Sequence, residues 1–72
     1  MFHKIVAQAD AAWYLALAID GDYGTSDKTV AEAFEHTKSL YELALPLAPD
    51  THFAGMCREA LVECVAVLCG LQ

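Results

Sequence analysis

CREALVECVAVLCG, residues 57 to 70, decides how this chain folds. Cys57, Ala60, Leu61, Cys64 and Leu68 recur at intervals of three and four, the period of one face of an α-helix. Phe53 before them and Leu71 after them extend the same stripe, with Met56, Val65 and Val67 on its flanks. Arg58, Glu59 and Glu63 fall on the other side, so the first half reads as an ordinary amphipathic helix. After Glu63 there is no further charge. Val62, Ala66 and Cys69 stand where solvated residues belong, and a helix apolar nearly all round is normally buried. In a short helical chain one side of such a helix meets its own neighbours. The other side is expected to need a second covering surface.

The three cysteines carry no shared chemistry in this spacing. Cys57 and Cys64 are seven residues apart, a rise of about 10.5 Å along a helix. A disulfide needs Cα atoms within about 7 Å, and zinc–thiolate bonds are only about 2.3 Å long. Cys64 and Cys69 point about 140° apart. No CxxC or HxxxH spacing occurs anywhere, so neither a metal nor a cofactor is expected. Cys57 and Cys64 read as small core hydrophobes. Cys69 lies off the stripe and is the thiol expected at the surface or between subunits. An odd cysteine count without a secretory signal points to free thiols, a reducing compartment and a cytoplasmic location.

Working back along the chain, two more helices are predicted, giving helices at about 2–20, 27–45 and 51–69. In the first, Phe2, Ile5, Val6, Ala9, Ala12, Trp13, Ala16 and Leu17 form the inward stripe. Its back carries Ala7, Ala11, Tyr14 and Ala18, where a solvated helix would carry charge. Small residues in a row admit a second helix. In the second, Val30, Ala33, Phe34, Thr37, Leu40, Tyr41, Ala44 and Leu45 face inward, and Pro46 stops the helix. Asp50 is the N-cap of the third helix, and Gly70 its expected C-terminal stop. The expectation is an all-α fold, a single domain over residues 1–72. It is a three-helix bundle, an antiparallel hairpin with a third hydrophobic helix packed across it.

Size and composition add an oligomer to this expectation. The chain has 72 residues, 57% hydrophobic and 19% charged. A domain so small is marginal alone and commonly gains burial from a partner chain. A homodimer is expected, through Ala7, Ala11, Tyr14, Val62, Ala66 and Cys69. The formal charge is −6, ten acids against Lys4, Lys28, Lys38 and Arg58. Four scattered bases make no basic patch, which disfavours direct nucleic-acid binding and adhesion to anionic membrane. The final charge-free run is far shorter than the roughly 20 residues of a membrane span.

DGDYGTSDKT, residues 20 to 29, is a loop leading into helix caps. Its D-x-D opening fails as a calcium loop, because the sixth and twelfth positions hold Thr25 and Ala31 in place of glycine and glutamate. Ser26 or Thr29 is the N-cap, and Thr29 with Glu32 fits a capping box. His36, four residues after Glu32, is placed to pair with it, and His52 faces water. There is no nucleophile elbow and no phosphate-cradling glycine loop, so a non-enzymatic role is expected. Asp20, Asp22, Asp27, Glu32 and Glu35 fall within sixteen residues, opposed only by Lys28. They mark a candidate docking face for a protein partner with a basic surface.

Residues 11–24, AAWYLALAIDGDYG, with AEAF and LALPLAPD downstream, resemble a tetratricopeptide repeat in their Trp-Tyr helix, Gly-Asp-Tyr turn and closing proline. The register departs from that pattern. Leu17 stands where the repeat has glycine, and residues 25 to 28 are an insertion before the second helix, so membership is not expected. The leading functional expectation is a small acidic protein-binding module, an inhibitor or anti-activator. By analogy of size and charge alone, it is similar to those that phages and mobile elements use against host or CRISPR complexes. The alternatives are an adaptor subunit using the apolar third helix, and a thiol or metal sensor assembled from two chains.

Overall fold

The computed structural model describes residues 1–71. Among the described residues the chain is all-helical: α1 (Phe2–Asp20), α2 (Asp27–Ala44) and α3 (Thr51–Gly70). A 3-10 turn, Leu45–Leu47, joins the last two.

α2 is the central helix, and both others pack on it. The register is antiparallel on each side. Phe2 and Ala9 of α1 share a buried cluster with Tyr41 and Ala44, while Ala16 packs with Val30 and Phe34 at the opposite end. Cys57 and Cys64 join the first cluster, and Val67 and Leu68 the second. α1 and α3 therefore run parallel to each other. Their backbones scarcely meet, and the bundle spans 40 × 20 × 14 Å. The backbone of α3 thus lies mainly against α2, while its side chains share both core clusters with α1, Phe53 meeting Phe2 directly.

The inward stripes fill the core largely as their spacing dictates. Ala9, Ala16, Phe34, Thr37, Ala44 and Cys64 are fully buried. Alanines at the α1–α2 contact let the two backbones approach closely. Among the described residues Thr37 is the only buried polar one, and its hydroxyl donates to the Ala33 carbonyl at 3.0 Å. That bond keeps the hydroxyl satisfied in an apolar setting. Leu17 is the exception on α1: it is exposed, and Ile19 packs inward in its place.

The ends of the helices show where local rules gave way. α2 starts at Asp27 because Ser26 caps it, its hydroxyl accepting from the Thr29 N–H at 3.3 Å. Thr29 therefore lies inside the first turn instead of heading a box with Glu32. Asp50 caps α3 as expected, accepting from the Phe53 N–H at 3.0 Å. The segment 45–50 is not extended throughout: Leu45–Leu47 wind into the 3-10 turn, and Ala48 is the first extended residue. Pro46 fits that turn because its missing N–H falls where no partner is required. Gly70 does not terminate α3 in the left-handed manner. It is the last helical residue, Leu71 caps the helix in a right-handed conformation, and no described residue has a positive φ.

Candidate binding groove

Between the parallel α1 and α3 lies a groove, to which α2 contributes Tyr41. Its volume is about 470 Å³. From α1 come Phe2, Val6 and Trp13, and from α3 Phe53, Met56 and Ala60, with the Tyr41 ring between the two walls. Aromatic contacts hold one end. Phe2 and Phe53 meet edge to face at 5.5 Å, and the His3 ring packs against both, at 5.2 and 5.3 Å. Further along, Trp13 sits edge to face on Phe34 at 5.5 Å, which fixes its ring as part of the wall.

The charged side chains of the lining are carboxylates, with His3, Tyr41 and Cys57 as its other polar members. Asp10 stands on the α1 wall, and Glu59 and Glu63, one turn apart, on the α3 wall. His3 is the sole base among the lining residues; no lysine or arginine reaches it. The Tyr41 hydroxyl donates a hydrogen bond to the Asp10 carboxylate, tying α1 to α2 beneath the groove. Burial and the adjacent Asp10 charge both push the Tyr41 hydroxyl well above its ordinary range, so it remains a neutral donor. Burial also raises the Cys57 thiol, with Asp10 adding to the effect. Neither group is activated for nucleophilic work, since only the thiolate or phenolate would react.

The residues singled out from the sequence lie elsewhere. Asp20, Asp22, Asp27, Glu32 and Glu35 are all exposed, at the loop between α1 and α2 and along the outer side of α2. Lys28 falls on the same side of α2 by helical register, between Glu32 and Glu35, which breaks the negative face. Asp22 is turned back on its own loop, accepting from the Gly24 N–H at 3.1 Å. Glu32 and His36 form no ion pair; among the described residues the ion pair present is Lys38–Glu42, at 3.7 Å. The six residues expected at an oligomer interface are all exposed. Taking Ala9 and Cys64 as the inward directions, they sit about 140–160° round their helices, so Ala7 and Tyr14 face away from α2 on one side and Val62, Ala66 and Cys69 on another. Ala11 also borders a shallow hollow between α1 and α2, with Leu15 and His36. Cys57, Cys64 and Cys69 are all free thiols, and no group of three metal-ligating side chains exists among the described residues. No helix in the described residues is long and apolar enough to cross a membrane.

The groove itself was not readable from spacing. Spacing puts Glu59 and Glu63 opposite the apolar stripe of α3 and gives Asp10 no link to them. The packing of α1 and α3 in parallel on α2 brings them to one cleft. The missed signal was a charge on each helix close to the edge of its apolar stripe. No family model matches the chain, and no curated protein or solved structure matches it significantly.

Proposed function

We propose that this chain is a non-enzymatic protein-binding module that docks on a basic surface of a protein partner. The observation that carries the reading is the state of its carboxylates. Ten acids face four bases, yet the described residues contain a single ion pair. Asp20, Asp27, Glu32, Glu35, Glu59 and Glu63 are exposed and make no ion pair among the described residues. Charge left unneutralised at the surface favours encounter with a basic partner and speeds association. A module of this kind acts by covering the surface its partner uses elsewhere, which makes it an inhibitor or anti-activator. The test is capture of basic proteins from the native host, with and without Asp22→Lys, Glu32→Lys and Glu35→Lys together. Loss of capture supports docking through the α1–α2 loop and the outer side of α2. Undiminished capture removes that surface from the reading.

A second reading rests on a different observation. Val62, beside Glu63, is 68% exposed, and Val65, on the charge-free helix end that follows, 43%. Covering these residues, with Cys69, is the role of a second copy in the homodimer reading and of a larger assembly in the adaptor reading. The mass of the purified chain in solution separates the two. A stable dimer supports self-association; a monomer that aggregates unless co-expressed with a partner supports the adaptor.

A further inference from the structure

We infer that the groove between α1 and α3 is the seat of a basic amphipathic helix supplied by the partner. The inference rests on the protein-binding reading above and names the surface and the recognised element.

The shape argues for a helix. The walls run over residues 2–13 of α1 and 53–63 of α3, each about 15 Å long, or roughly three helical turns. α1 and α3 lie parallel, both against α2, with the largely buried Tyr41 lining the groove between them. A helix laid there touches both walls and stands across from α2, completing a four-helix arrangement whose other three members are already present. The lining suits the apolar anchors of such a helix: the half-buried Trp13 and Phe53 offer aromatic surface, and Met56, 49% exposed, offers an adaptable thioether chain.

The charge sets the chemistry of the occupant. Asp10 on one wall and Glu59 and Glu63 on the other flank the apolar strip, with no lysine or arginine among the lining residues. An occupant with Leu, Ile or Phe at helical spacing and Lys or Arg on both flanks meets apolar surface inward and carboxylates at each edge. A second copy of this chain does not meet that description. It carries the same −6 charge, and its four bases are scattered. An acidic helix would be repelled from both walls.

The experiment uses the whole chain and a synthetic basic amphipathic peptide, LKKLLKLLKKLLKL. Trp13 is the one tryptophan and lines the groove, so its emission reports occupancy directly. Saturable binding with a shift in Trp13 emission is expected, and none with the counterpart in which glutamate replaces every lysine. Glu59→Lys or Glu63→Lys is expected to weaken binding about tenfold or more, and Glu42→Lys, the same charge change on α2, less than about twofold. Glu59 and Glu63 are exposed, so these reversals leave the core intact. Amide chemical-shift changes are expected on facing sides of α1 and α3. Equal weakening by Glu42→Lys, or shift changes confined to the outer side of α2, overturns the groove while leaving an acidic binding module standing. Failure of the basic peptide to bind overturns the groove outright, whereas the acidic-module reading then stands or falls on the capture experiment.

Discussion

Three residues of one type show how strongly position governs chemistry here. Cys57 and Cys64 are buried on the inward side of α3, and burial is the first cause that raises both thiols above their ordinary range. The neighbouring Glu63 pushes Cys64 further the same way, with Lys38 opposing it. Reagents and oxidants act on the thiolate, so both thiols are protected twice, by exclusion and by protonation. Cys69 is exposed. In neutral buffer a thiol-specific reagent is therefore expected to modify one cysteine promptly and two more only after denaturant is added. Mass analysis should place the first adduct on Cys69, and Cys69→Ser should abolish the prompt phase. Prompt labelling of two or three thiols in the native chain would show that α3 does not pack on α2 as described.

At the level of the helix, each start depends on one side chain. Asp50 and Ser26 adopt extended backbone conformations and accept from N–H groups that the helix leaves without partners. Asp50→Ala is expected to lower unfolding stability by about 1 kcal/mol, read from urea denaturation, with Ser26→Ala costing no more because its bond is the longer one. A neutral outcome for Asp50→Ala would mean that α3 begins elsewhere. These elements were the most legible part of the chain. The recurrence of apolar residues at three and four identified all three helices, and Phe34, Thr37, Tyr41, Cys57 and Cys64 are buried as that recurrence requires. Details that depend on local competition were less legible: Ser26 outcompeted Thr29 as cap, and Gly70 was absorbed into α3. The groove was not legible at all, because its two walls are 40 or more residues apart in sequence and meet only through the packing of α1 and α3 on α2. Periodicity gives each helix an inward direction; it does not give the angle between two helices that share a third.

For the molecule as a whole, three buried acids of the weak kind couple stability to alkaline pH. Tyr41 titrates ordinarily near 10.0, and Cys57 and Cys64 near 9.0, but in the folded chain all three are raised, with burial the leading cause. The unfolded chain releases these protons as pH passes the ordinary values, while the folded chain retains them. The folded state then binds more protons, so stability falls with rising pH, by up to about 1.4 kcal/mol per pH unit for each group so affected. The contribution is fully present below about pH 8 and is lost progressively above about pH 9. Urea midpoints measured from about pH 7 to about pH 10.5 should therefore hold steady and then decline. Growing negative charge on an already acidic chain acts in the same direction, so the decline alone does not identify the cause. Tyr41→Phe separates the two. It removes the hydrogen bond to Asp10 and is expected to cost about 1 kcal/mol near neutrality. It also removes the Tyr41 share of the alkaline decline, leaving a shallower slope above about pH 10, whereas general charge repulsion would leave that slope unchanged. Midpoints that rise through this range, or a Tyr41→Phe slope equal to the parent's, would show that the Tyr41–Asp10 link beneath the groove does not hold α1 to α2 in solution.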